Sequence, residues 1–186
     1  MAPLDESAQV ALAQVDPRAF APLYVQYADP IYRYCYRRLG DPDAAADATS
    51  LIFSRALAAL PRYQPTSFRS WLFTIAHHTV IDGWRGARSE TPLDAIVSHH
   101  DPSPGPEDEA LRADAGREVR TLLARLPRDQ RQVVELRLAG LSNQEIAEVL
   151  ERSVAATKML QVRAMSRLRS LIEPAATSSG MDTSDD

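Results

Sequence analysis

The stretch from Leu141 to Leu171, LSNQEIAEVLERSVAATKMLQVRAMSRLRSL, restricts the fold more than any other part of the chain. Ser142 followed three residues on by Glu145 is the pairing in which a hydroxyl and a carboxylate satisfy orphan backbone N–H groups at a helix start. Ile146, Ala147 and Leu150 give that helix a short apolar face, so it ends near Leu150. Glu151 and Arg152 make a turn, and Ser153 can cap a second helix. From Arg152 to Arg169 the chain has five basic residues and no acidic one. A short helix, a turn and a long basic helix are the parts of a DNA-reading unit.

Winding the second helix at about 100° per residue tests this. Val154, Thr157, Leu160, Ala164, Leu168, Leu171 and Ile172 fall on one stripe, which is expected to pack on the preceding helices. Gln161 falls inside the stripe and is expected at the rim of the domain. The opposite face carries Ala155, Met159, Val162, Arg163 and Ser166, with Lys158 and Arg169 at its edge. A solvated amphipathic helix gives no reason for Met and Val beside Arg on its outer face. A major groove does, because small apolar groups touch thymine methyls while Lys and Arg reach guanine or phosphate.

The whole-chain charge argues in the other direction. In 186 residues the net charge is −4, whereas a DNA binder usually carries a basic footprint. The distribution resolves the conflict. Acid collects in the first thirty residues, in Asp101 to Glu118 and in Glu173 to Asp186. Base collects at Arg33, Arg37 and Arg38, at Arg62 and Arg69, at Arg85 and Arg88, and on the reading helix. Basic faces on an acidic body imply weak binding to naked duplex, since sequence-independent affinity is mostly phosphate neutralisation. The single cysteine, Cys35, allows no disulfide within the chain and fits a reducing cytoplasm. MAPLDESAQV lacks a basic segment before an apolar core, so no signal peptide is expected. No apolar run approaches the ~18 residues that read as a membrane span, and no membrane insertion is expected.

Helical periodicity dominates the rest, and the expected class is all-α, in two small domains. Residues 1–15 are read as a flexible N-terminus and 16–88 as the first helical domain. Within it, Asp16-Pro17, Asp29-Pro30 and Asp41-Pro42 each start a helix, with Gly40 ending the second. After the loop PRYQPTS, Ser67 caps a long helix, FRSWLFTIAHHTVIDGWRGAR. Residues 89–109 are rich in proline and acid and read as an extended linker. Residues 110–172 form the second helical domain, and 173–186 a polar, disordered tail.

Two separate blocks carry a family resemblance. SFRSWLFTIAHHTVIDGWRGARS resembles regions 2.3 and 2.4 of bacterial sigma-70-type factors, and LPRDQRQVVELRLAG with the reading unit resembles their region 4. Size and tether match the extracytoplasmic-function group (group IV), over roughly residues 18 to 172. The resemblance implies a factor that binds core RNA polymerase, at the β′ clamp and the β flap, and directs initiation at promoter DNA. It implies no catalysis, cofactor or metal of its own, and an anti-sigma factor as a further partner. The reading helix would take the −35 element through Ser153, Ala155, Lys158, Met159, Val162 and Arg163. The −10 element and its melting would fall to Arg62, Tyr63, Gln64, Ser67, Arg69, His78, Arg85 and Arg88. Aromatic and basic residues interleave there, as base stacking beside held phosphates requires.

The polymerase contact would fall to Asp47, Ser50 and Leu51. Here the chain departs from the family's Asp-x-x-Gln-Glu-x-Phe pattern. Asp47 and Phe53 fit it, but Ser50 and Leu51 stand for Gln and Glu. His78 replaces the Asn of an IAxN motif, and Glu151 replaces the glycine of many such turns. Lys158, Leu160, Gln161, Arg163 and Ala164 follow the variant KxLQxRA.

Two rival functions fit parts of the sequence. A stand-alone helix-turn-helix regulator would use the first domain as a sensor, and a sigma-like modulator would bind polymerase without initiating. A metal site at His77-His78 or His99-His100, with Asp82 and Asp101, meets two objections. Adjacent histidines on a helix point about 100° apart and cannot both ligate from one face, and His99 and His100 fall in the flexible acidic linker.

Overall fold

In the computed structural model, residues 5–64, 67–86 and 116–172 are described, the last five of the middle span by their backbone alone. Every regular element among them is helical. In order they are α1 (Glu6–Val15), a 3-10 turn (Pro17–Phe20), α2 (Ala21–Leu39), α3 (Pro42–Ala59), a second 3-10 turn (Leu60–Arg62) and α4 (Phe68–Gly86). After the gap come a helical stretch at 116–124 (α5), α6 (Arg128–Leu138), α7 (Asn143–Val149) and α8 (Val154–Ile172). The linker at 89–109, the tail at 173–186 and Arg88 lie outside the described residues.

The local punctuation reads as its residue types dictate. The Asp41 carboxylate accepts from the Ala44 N–H at 2.8 Å, with Pro42 in the first turn. Gly40 closes α2 at φ +79°, its N–H reaching the Tyr36 carbonyl. Only a residue without Cβ takes that backbone cheaply.

Two expectations are corrected. The N-terminus is not loose from Glu6 onward: α1 is capped by Asp5 and buries Val10 and Ala13 in the core. And Pro30 starts no new helix, because α2 runs through it. An interior proline costs about 3 kcal/mol. On the other side, Leu23, Tyr27, Ile31 and Tyr34 lie on one stripe of that continuous helix, all at most 2% exposed. Burying each such side chain is worth roughly 1.5–3 kcal/mol, so packing wins over the local break.

One buried cluster joins α1–α4 to the near faces of α6 and α7, bringing Phe68, Leu72 and Phe73 into the same core as Val133, Leu136, Leu141, Ile146 and Val149. A smaller one seats α8, with Ala164 packed among Leu123, Leu126 and Val134. No helix among the described residues is long and apolar enough to cross a membrane.

Candidate nucleic-acid interface

The reading unit is built as its sequence requires. The Ser142 hydroxyl accepts from the Glu145 N–H at 3.2 Å, and a Glu145 carboxylate oxygen accepts from the Ser142 N–H at 2.8 Å. Leu150 ends α7, and Glu151 follows at φ +51°, the one non-glycine residue with positive φ among those described. The turn therefore uses the left-handed region without a glycine, at a steric cost of ~1–2 kcal/mol. Ser153 caps α8 by accepting from the Ala156 N–H at 3.2 Å.

The two faces of α8 divide as the winding predicts. Thr157 and Ala164 are fully buried, and Val154, Leu160, Gln161, Leu168 and Leu171 partly so. Ile172 departs from the stripe, at 60% exposed. Ser153, Ala155, Lys158, Met159, Val162 and Arg163 are all exposed, with Met159 at 53% and Val162 at 65%. The helix carries no acidic residue. An open groove beside it is lined by Asn143, Lys158, Gln161, Met165 and Arg169. Asn143 joins this wall from α7, which only the folded turn brings about.

In the first half of the chain, Tyr63 leaves the second 3-10 turn in extended backbone and packs into an aromatic cluster. Its ring centroid lies 5.0 Å from Trp71 and 5.9 Å from Phe68, and Phe68 lies 5.6 Å from Tyr27. Phe68 is core, whereas Tyr63 and Trp71 are half-buried and Arg62 and Gln64 exposed. The Arg69 guanidinium stands over the Tyr27 ring at 6.0 Å. The half-buried Tyr63 and Trp71 rings thus lie together, beside the Arg69 cation over Tyr27. His78 is exposed one residue beyond His77, which is buried and hydrogen-bonded to the Tyr34 hydroxyl at 3.1 Å. Burial first, then the charge of Arg38, pushes His77 down to about 4. Arg85 lies on the last turn of α4, where only the backbone is described.

The α4 start is occupied by α7. The Ser67 hydroxyl donates to Glu145 at 2.7 Å, the Ser70 hydroxyl to Glu148 at 2.6 Å, and Arg69 to the Gly140 carbonyl at 3.1 Å. Burial raises the Glu145 carboxyl, but the Ser142 N–H and the Ser67 hydroxyl outweigh it and hold the group below its ordinary value. Further along, Glu135 is completely buried, with Arg38 at 2.7 Å and Arg131 at 2.6 Å. Sequence flagged Ser67 and Arg69 for DNA and Glu145 for a cap. That these three meet is a long-range fact with no local signal. Glu135 did leave one, a lone carboxylate inside the apolar run VVELRL.

On α3, Asp47, Ser50 and Leu51 stand together on an exposed strip, Leu51 at 45% exposed, while Thr49 and Phe53 turn inward. Among the described residues no three His, Cys, Asp or Glu side chains group closely enough to hold a metal ion.

The family model for Sigma-70 region 2 matches residues 23–90, and that for Sigma-70, region 4 matches residues 116–168. The ECF RNA polymerase sigma factor ShbA of Streptomyces griseus is 37% identical over 154 residues, covering 76% of this chain and 81% of that protein. The ECF RNA polymerase sigma factor BldN of Streptomyces coelicolor is 36% identical over 159 residues, covering 83% of this chain and 60% of its own length. In fold, the chain is similar to CnrH, solved in complex with the cytosolic domain of CnrY. That match has a TM-score of 0.69 at 24% identity and covers 92% of this chain and 97% of that one.

Proposed function

The chain belongs to the sigma-70 family, among the extracytoplasmic-function RNA polymerase sigma factors, and from that premise we propose that it binds core RNA polymerase and directs initiation at promoters with paired −35 and −10 elements. The observation that carries the proposal is the outer face of α8. It is exposed, free of acid, and mixes Lys158 and Arg163 with Met159 and Val162. That mixture matches the hydrogen-bonding and methyl edges of base pairs in a major groove.

In this mechanism α8 lies in the −35 major groove, with Ser153 and Ala155 at its entering end and Lys158, Met159, Val162 and Arg163 along the bases. Near the −10 element, Arg62, Tyr63, Gln64, Ser67 and Arg69 take a base of the non-template strand. Tyr63 and Trp71 offer the stacking surface, worth ~1–3 kcal/mol per base. His78, Arg85 and Arg88 follow the strand along α4 and beyond. Asp47, Ser50 and Leu51 face the polymerase clamp. The factor makes and breaks no bond; it lends sequence choice to an enzyme that has little. It works in the cytoplasm, where the polymerase is. An anti-sigma protein is proposed as a further partner, on the precedent of the sigma factor RpoE solved in complex with the anti-sigma factor NepR from Bartonella quintana.

A second reading is favoured by one observation, the exposed Leu51 beside Ser50 where the family commonly has Glu and Gln. On that reading the chain binds polymerase to modulate it. Run-off transcription with purified core polymerase on a fragmented genomic library, with the 5′ ends mapped, separates the two. New starts sharing a −35 and −10 pair support initiation. Polymerase binding without new starts supports modulation, and binding of duplex without polymerase supports a stand-alone regulator.

A further inference from the structure

Helix α1 is given no role by the reading above, yet one of its ends holds the backbone that leads into the proposed −10 capture loop after the second 3-10 turn, and the other holds a ring of the aromatic cluster beside it. At its C-terminal end the Gln14 side-chain amide nitrogen donates to the Leu60 carbonyl at 3.1 Å and the Tyr63 carbonyl at 3.0 Å. One amide thus uses both its hydrogens on the two carbonyls that bracket the 3-10 turn at Leu60–Arg62. At its other end Glu6 accepts from the Tyr27 hydroxyl, and Gln26 donates to the same oxygen at 3.1 Å. Tyr27 is the ring that packs on Phe68 beneath Arg69. Val10 and Ala13, between the two ends, anchor α1 in the core. The helix therefore spans the aromatic cluster, holding loop backbone on one side and a cluster ring on the other.

We infer that α1 is a splint for the −10 capture loop, with Gln14 a positioning residue that fixes where the backbone leaves the 3-10 turn and so where Arg62 and Tyr63 present to an unpaired base. The inference rests on the initiation reading and adds a part to it. A loop held at one point samples many exits, and each misplaced exit costs base capture. The carbonyl of Tyr63 is the last backbone acceptor before Gln64, so a donor there sets the loop's first free residue. Gln14 touches no DNA in this scheme; it acts through the backbone of Tyr63.

The test uses holoenzyme assembled from core polymerase and the full chain, on the promoter recovered by 5′-end mapping. The promoter is prepared as a linear duplex and as a premelted bubble, with 2-aminopurine in the −10 non-template strand. Gln14→Glu keeps shape but cannot donate, Gln14→Leu removes the amide without adding charge, and Gln14→Lys restores a donor. Opening of the duplex is expected to slow about tenfold in the Glu and Leu variants, the scale of two net hydrogen bonds. The Lys variant is expected to recover part of the rate. Binding to the bubble and affinity for core polymerase are expected to stay near wild type, while the melting temperature falls by a few degrees as the lost bonds require. Equal opening rates in all variants overturn the splint. So does an equal loss on the premelted bubble or a parallel loss of core affinity, which would make Gln14 a packing residue only. If the wild-type protein opens no promoter, the initiation reading fails and this inference fails with it, whereas unchanged variants beside an active wild type sink the splint alone.

Discussion

His77 sits inside the core on the Tyr34 hydroxyl, while its neighbour His78 stands in solvent. Burial and the nearby charges of Arg38, His78 and Arg128 lower His77 from 6.5 to about 4. Between those values the unfolded chain binds a proton that the folded one refuses. Stability is therefore flat with respect to this group above pH 6.5 and falls as pH drops toward about 4, by roughly 1.4 kcal/mol per unit. Urea unfolding at pH 7.5 and 5.0 is expected to show a larger drop for wild type than for His77→Gln. Equal drops would assign the acid sensitivity to other groups. On the reading face, Lys158→Ala or Arg163→Ala is expected to weaken −35 use by ~1–3 kcal/mol if the contact is a good base contact. Run-off yields from promoters with an intact and a scrambled −35 measure it. A variant equally weak on both has lost a phosphate contact, and wild-type yields from both variants would remove these residues from the face.

At the scale of the element, what sequence could reveal depended on distance along the chain. The Ser142–Glu145 capping box, the Gly40 terminus and the two faces of α8 are set within a few residues, and each stood legible as a motif or a period. Continuity of α2 through Pro30 did not, because the local rule for proline lost to burial contributed by Ile31 and Tyr34 against other helices. α1 was missed for the same reason: its short acidic start reads as a tail until Val10 and Ala13 find the core. The Gln14 bonds cross 46 and 49 positions and leave no local trace. Glu151 is the intermediate case. Sequence showed that the turn lacked glycine, and the structure shows the strain accepted at φ +51°. Glu151→Gly is expected to relieve a left-handed cost of ~1–2 kcal/mol and to lose part of it to the freer unfolded chain, for a net gain of about 0.5–1 kcal/mol. Thermal melting of the full chain measures it, and a lower melting temperature would mean that the Glu151 side chain stabilises the turn in its own right.

Across the whole molecule, α7 covers the start of α4, so Ser67 and Arg69 cannot hold a DNA strand while Glu145 and Gly140 occupy them. The two ends of the proposed machinery are closed on each other in this structure, and strand capture requires α7 to leave. The interactions that hold the closure differ greatly in strength. Exposed ion pairs contribute ~0–1 kcal/mol, which describes Arg152–Asp129 at 39% and 47% side-chain exposure. Glu135 is of another kind: it has no exposure and ties α6 to Arg38 of α2, whose side chain is 12% exposed. Removing one partner of such a pair costs ~3–5 kcal/mol because the other charge stays buried. Glu135→Gln leaves Arg38 facing a neutral amide across that contact, so the variant is expected to open. With dyes on Leu57→Cys and Met165→Cys, the free variant should show a longer and broader distance distribution than the same labelled parent. Its affinity for single-stranded −10 DNA should rise as Ser67 and Arg69 are released, while Arg152→Ala should change neither. A Glu135→Gln distribution identical to the parent's would mean that the apolar contact of Leu72 and Phe68 with Ile146 and Val149 holds the closure without the buried charge.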